Sequence, residues 1–154
     1  MSARRRFLTA LSLVAAVGVV ATVATFTDRA GAHKTPATPE QLQAYDQAFT
    51  EQVRKGDLLF HGDEATAKAM RVTLSKTGMA CAMCHPQTAD THPHTFPKFQ
   101  AQMAKFATLR DMINWCIEKP NQGEKIPDDS DAMKALEAYI YWSNTGSVLM
   151  PGKF

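Results

Sequence analysis

The apolar positions between residues 109 and 117 recur at the spacing of one helix face. They are Leu109, Met112, Ile113, Cys116 and Ile117. This period predicts an amphipathic helix that turns those side chains, including the Cys116 thiol, toward the interior. The polar residues of the opposite face, which we expect to meet water, are Arg110, Asp111, Asn114 and Glu118. Lys119-Pro120 ends the pattern, because proline cannot continue a helix.

A capping sequence marks the start of an earlier, longer helix. In Thr38-Pro39-Glu40-Gln41 the threonine can cap the helix, proline suits its first position, and glutamine follows three residues after the cap. The helix should run to about Phe60 and be broken or bent near Gly56. A short helix can follow over residues 64–74. The prolines behind it predict a loop over residues 86–98.

A third helix should close the domain. Asp128-Asp129-Ser130 can cap a helix from Asp131 to about Ser143. Its apolar stripe consists of Met133, Leu136, Tyr139, Ile140 and either Tyr141 or Trp142. Taken together, the chain predicts an all-α domain.

Residues 81–86 read CAMCHP, which places a histidine directly behind two cysteines. In C-x-x-C-H motifs the two thiols can form thioethers with the vinyl groups of one haem, and the histidine binds the iron. Cys81, Cys84 and His85 are therefore the predicted attachment sites of one covalent haem c. A redox dithiol and half of a zinc site are competing interpretations, although zinc would need a second Cys/His pair. The third cysteine, Cys116, stands alone.

The amino terminus has the pattern of an export signal. Arg4-Arg5-Arg6 precedes an uncharged run from Phe7 to Phe26, and Ala30-Gly31-Ala32 offers a cleavage site. We therefore expect residues 1–32 to be a signal peptide and residues 33–154 to be the folded domain, located in a bacterial periplasm. If the signal were retained, its apolar run could anchor the chain, since a membrane span needs about 20 residues.

The charge balance argues against a nucleic-acid partner. Without residues 1–32 the chain has 13 Lys and Arg against 14 Asp and Glu. Two haem propionates would make the domain more negative still. No basic surface for nucleic acid is therefore expected.

Three segments resemble class I cytochromes c. They are Gly56-Asp57-Leu58-Leu59-Phe60, the motif from Cys81 to His85, and Leu136-Glu137-Ala138-Tyr139-Ile140. The resemblance covers about residues 45–145 and implies a cytochrome c-like fold of about four to five helices around one covalent haem. In that fold the first and last helices cross through a glycine and an aromatic side chain, here Gly56 and Tyr139 or a neighbouring aromatic.

A closer resemblance lies in Asp111-Met112-Ile113-Asn114-Trp115-Cys116, Gly123 and the stretch from Ser130 to Ile140. These segments are similar to the haem domains of the SoxA and thiosulfate dehydrogenase group, and to the His/Cys-ligated monohaem subunits of anammox bacteria. In those proteins the cysteine of the Asn-x-Cys segment is the second axial ligand, so the resemblance implies this role for Cys116. Thiosulfate-oxidising members usually carry two haems, whereas this sequence has one C-x-x-C-H motif.

The residues alone leave the sixth iron ligand open. The loop over residues 119–130, where an ordinary cytochrome c has its methionine ligand, contains no methionine. Without the resemblance, a buried structural thiol would be the ordinary role for Cys116. The other candidate ligands are Met112, Met103, Met150, His92, His94 and a lysine, and the position could also be open.

Ligation at both axial positions leaves no substrate site on the iron. This favours one-electron transfer with a redox partner protein over enzymatic activity. We expect residues near Ala82, Met83 and Pro86 to surround the haem edge where the partner docks. A homologous monohaem subunit could complete a homo- or heterodimer. The alternative functions are binding of nitric oxide or carbon monoxide, and a haem subunit of a sulfur-oxidising enzyme.

Overall fold

Helix α1 is the first element of the computed structural model, which describes residues 36–153. It runs from Pro39 to Phe60 as one continuous helix, so the predicted break near Gly56 is wrong, while a bend there stays a prediction. The predicted cap is confirmed, because the Gln41 N–H donates to Thr38 Oγ1 at 3.3 Å and the Thr38 N–H donates to Gln41 Oε1 at 2.9 Å. Neither α1 nor any other helix within residues 36–153 has the length and apolar character needed to cross a membrane. The predicted signal peptide lies outside the described residues.

Helix α2, Glu64–Ala69, is shorter than the sequence predicted. Asp63 caps it, with Oδ1 accepting the Thr66 N–H at 2.7 Å. The predicted extension to residue 74 is wrong, because Arg71 takes a left-handed φ of 57° that no α-helix continues through. The remaining elements belong to the compact unit formed by residues 43–153.

The haem motif forms the single turn α3, Cys81–Cys84. The predicted loop behind it contains two short 3₁₀ turns, over residues 86–88 and 93–95. The loop then leads into a hairpin of β1, Lys98–Gln100, and β2, Lys105–Ala107. Its outward side carries Phe99 opposite Phe106, both exposed. This hairpin was not predicted, because strands of three residues are too short to show an alternating pattern.

Helices α4, Leu109–Glu118, and α5, Asp131–Ser143, confirm the two predicted ranges. Thr108 and Asp111 form a reciprocal capping box at the start of α4. Ser130 Oγ accepts the Met133 N–H at 3.2 Å at the start of α5. The buried side chains of α5 include the predicted stripe of Met133, Leu136, Tyr139 and Ile140, whereas Tyr141 and Trp142 are exposed.

Helices α1 and α5 cross at Gly56, as the class I resemblance implied. A Cβ atom at Gly56 would lie 2.6 Å from the Tyr139 Cβ and closer still to the Ala135 carbonyl oxygen. Beside this contact the Phe60 and Tyr139 rings pack with centroids 5.3 Å apart. The crossing joins the first and last helices in one hydrophobic core that also includes Leu59, Ile113, Ile117, Met133 and Leu136.

Candidate haem-binding site

The two motif cysteines lie one helical turn apart on α3. Cys81 is partly buried and lines a cleft next to the core, whereas Cys84 is exposed at the surface. Residues three apart in a helix share a face. Both thiols can therefore approach one planar group, Cys81 from inside the cleft and Cys84 from the exposed position one turn further along the chain.

The His85 ring is oriented by its own loop. The His85 N–H donates to the Cys81 carbonyl at 2.9 Å, which ends the turn, and ring Nδ1 lies 2.9 Å from the Ala89 carbonyl oxygen. A carbonyl oxygen can only accept, so Nδ1 carries the proton. In the neutral ring Nε2 then keeps its lone pair. A hydrogen bond from the other ring nitrogen to a carbonyl is the usual way in which a metal-binding histidine is held in orientation.

Helices supply most of the apolar lining of the cleft, and the loop and hairpin supply its polar lining together with Phe96. The helical side chains that line it are Phe60, Leu109, Met112, Ile113, Cys116, Leu136 and Ile140. The polar side chains that line it are Asp90, Thr91, His92, Lys98, Gln100 and Gln102. Cys81 and His85 complete the lining.

Cys116 lies in this cleft, on the partly buried face of α4. Burial, and to a smaller extent the nearby Cys84 thiol, raises the pKa of Cys116 to about 11. Burial and then the nearby Cys116 thiol likewise raise the pKa of Cys81 to about 11. Each is therefore a neutral thiol at pH 7 in the polypeptide alone. A metal that binds Cys116 must displace its proton.

The three methionines proposed as alternative iron ligands differ in whether they line the cleft. Met112 lines the same cleft, one turn before Cys116, and Met112 Sδ lies 3.2 Å from Gln100 Nε2. Met103 lines a separate depression. Met150 is 44% exposed, and its N–H donates to the His94 carbonyl at 2.9 Å. Of the four sulfur candidates, the cleft contains Cys116 and Met112.

The two loop histidines differ in their surroundings. His92 lines the cleft and is exposed, with Nε2 3.7 Å from Asp90 Oδ1. His94 is not among the lining residues, and its buried Nδ1 has no hydrogen-bond partner within the described part of the chain. His92 is therefore the histidine alternative that the geometry retains.

Asn114 is a site residue whose role the sequence pattern misassigned. It was expected on the water-facing side of α4, yet it is 3% exposed. Its Nδ2 donates to the Ile126 carbonyl and its Oδ1 accepts the Ile126 N–H, both at 3.0 Å. The amide thus pairs with one residue of the 119–130 loop through both backbone groups, two positions before Cys116. The signal that could have found it is its place in the Asn-x-Cys segment.

Replacing Asn114 with Ala should destabilise the protein by about 1–3 kcal/mol, because both backbone groups of Ile126 are then left buried and unpaired. Urea unfolding of the holoprotein followed by circular dichroism measures this. Glu118→Ala, at an exposed position of the same helix, is the control and should stay within about 0.5 kcal/mol of the wild type. Equal stabilities for the two variants would show that the Asn114 bonds contribute nothing net.

A match to a known protein family identifies the type of domain that contains this cleft. The family model described as SoxA/TsdA, cytochrome c domain, matches residues 67–149, which is just over half of the chain. The chain belongs to the SoxA/TsdA cytochrome c domain family. Membership confirms the predicted all-α cytochrome c-like fold and makes this a haem-binding cytochrome of the electron-transfer type. It implies covalently bound haem c.

A curated relative supports the same assignment. The chain is 24% identical over 124 residues to a thiosulfate dehydrogenase of Psychrobacter arcticus. The aligned region covers 75% of this chain and 37% of that protein. The chain therefore spans well under half the length of that relative. The cleft of this SoxA/TsdA-type domain suits a haem, since it offers apolar helical side chains, the Cys81 thiol with Cys84 one turn away, and a histidine with a free Nε2.

Proposed function

We propose that the protein is a periplasmic electron carrier with one haem c, attached through Cys81 and Cys84 and held axially by His85 and Cys116. The observation that carries this proposal is that Cys81, His85 and Cys116 line one cleft. His85 Nδ1 is hydrogen-bonded to the Ala89 carbonyl, which leaves Nε2 to bind the iron. Bound haem supplies a one-electron iron couple.

Ligation by two protein side chains explains why electron transfer is the proposed role. With His85 and Cys116 both bound, substrates have no open position on the iron, so only electrons pass. The surface around Ala82, Met83 and Pro86 offers a place for a redox partner, since Met83, which lies between the two motif cysteines, is 67% exposed. A homologous monohaem subunit, in a homo- or heterodimer, is the second partner that we propose.

Export is part of the proposal, because haem c is attached after the chain leaves the cytoplasm. The arginines at positions 4–6, the apolar run over residues 7–26 and the small residues at 30–32 fit a signal peptide. The folded domain then comprises residues 33–154. Amino-terminal sequencing of the mature protein tests this assignment, because cleavage after Ala32 should leave His33 as the first residue.

Covalent attachment should be visible as haem that stays with the protein in a denaturing gel. Replacing both Cys81 and Cys84 with Ala should abolish that haem, because each forms one thioether. Cys116→Ala is the matched control and should keep it, since Cys116 forms an axial bond only. His85→Ala should retain some attachment with a poorly ligated iron. Haem that is extracted from the wild type by acid acetone would overturn the proposed attachment.

A sulfur-oxidising role is the second candidate, favoured by the likeness to a protein named thiosulfate dehydrogenase. In that case the Cys116 thiolate would leave the iron or react itself. Reduction of the oxidised protein by thiosulfate would support this role. Binding of carbon monoxide or nitric oxide to the reduced protein at neutral pH would favour a gas-binding or catalytic haem over electron transfer alone.

A further inference from the structure

Lys98 is a buried cation on the polar wall of the haem cleft. It lies on β1 and is 8% exposed, with Nζ 4.9 Å from the centre of the Phe96 ring. None of the ion pairs within residues 36–153 includes it. The other hairpin lysine, Lys105, is exposed and paired with Asp111 at 2.8 Å. Lys98 is therefore the lysine of this hairpin that is buried without a carboxylate partner.

A buried ammonium without a counter-ion is costly, so the surroundings of Lys98 should supply an anion in the loaded protein. The cation–π contact with Phe96 offsets only a small part of that cost. Asp90 lines the same cleft, but its side chain is 84% exposed and lies beside His92. No carboxylate of the described chain therefore takes this position.

We propose that Lys98 is the internal counter-ion of a propionate of the bound haem. The inference rests on the proposed function. A haem is apolar over its ring and carries its two carboxylates along one edge. The cleft has polar residues at one part of its lining, because the hairpin contributes Lys98, Gln100 and Gln102 whereas the helices contribute apolar side chains. A haem bound with its carboxylate edge toward the hairpin would bring a propionate to Lys98.

The pairing has a measurable consequence for the iron. The positive charge of Lys98 offsets the negative charge of the propionate, which would otherwise stabilise the ferric state. Replacing Lys98 with Met keeps the apolar stem and removes the charge, so the midpoint potential should shift downward. Lys98→Arg keeps the charge and should stay near the wild-type potential. Lys105→Met, on the solvent side of the hairpin, is the matched control and should also stay near it.

Redox titration and electron paramagnetic resonance of the purified holoproteins test the pairing. A lower potential in Lys98→Met with an unchanged ferric spectrum supports it. An unchanged potential overturns it and leaves Lys98 as a packing residue. A changed ferric spectrum also overturns it, because the cation then acts on the iron ligands. Lys98→Gln replaces Lys98→Met if the methionine variant yields no holoprotein. Loss of covalent haem from the wild type itself would instead refute the proposed function.

Discussion

Replacing Cys116 with Ala should leave the haem attached but change its iron from low-spin ferric to a form that binds water and added ligands. The covalent bonds run through Cys81 and Cys84, so they survive the change. The sixth position loses its only proposed donor, because Met112 is one turn away and its sulfur lies beside Gln100. Absorption spectra with and without added imidazole or cyanide measure the change.

Replacing Cys116 with Met should raise the reduction potential. A thiolate donates negative charge and stabilises ferric iron, whereas a thioether raises the potential. Axial ligands shift haem potentials over a range of about 0.8 V, so this shift should be among the largest that one substitution can cause. Met112→Leu is the control and should keep the wild-type potential. If Cys116→Ala keeps the wild-type spectrum and potential, Cys116 is a packing residue and Met112 becomes the first candidate ligand.

The largest effect on stability is expected at Gly56, where α1 crosses α5. By helix propensity alone, Gly56→Ala would stabilise the protein by about 1 kcal/mol. The added Cβ would however overlap the Ala135 carbonyl and lie 2.6 Å from the Tyr139 Cβ, so the two helices must separate. We therefore expect destabilisation by about 1–3 kcal/mol, and more for Gly56→Val.

Urea unfolding of the holoprotein gives the sign of the Gly56 effect. The control is Ala48→Gly at an exposed position of α1, which reports helix propensity without a tertiary contact. A Gly56→Ala variant that is more stable than the wild type would show that the helices do not pack through this glycine.

The helices were predictable because their signals are local. Capping residues such as Thr38 and Ser130, and the 3.6-residue apolar period of residues 109–117, fixed the bounds of α1, α4 and α5 to within a residue or two. The length of helix α2 was overestimated, because the left-handed residue that ends this segment is Arg71 and not a glycine, so the sequence pattern does not indicate it. The hairpin was missed because its strands have three residues each.

Residues of the site could be predicted only where they belong to a recognisable sequence motif. The C-x-x-C-H sequence and the family resemblance indicated Cys81, Cys84, His85 and Cys116, and their assignment as haem ligands stays a prediction. Helix periodicity assigned Asn114 to solvent, because a pattern cannot show that a distant backbone segment, residues 119–130, satisfies a buried amide. Lys98 was missed for a similar reason, since its burial depends on the cleft that the fold creates around it.

The central claim is that one haem is held by His85 and Cys116. Electron paramagnetic resonance of the oxidised wild-type protein tests it most directly, because the ferric signal depends on both axial ligands. We expect a low-spin signal with the narrow spread of g-values typical of histidine–thiolate ligation, and an absorption spectrum without the near-infrared methionine–iron band. A high-spin signal, or a low-spin signal of histidine–methionine or bis-histidine type, would contradict it.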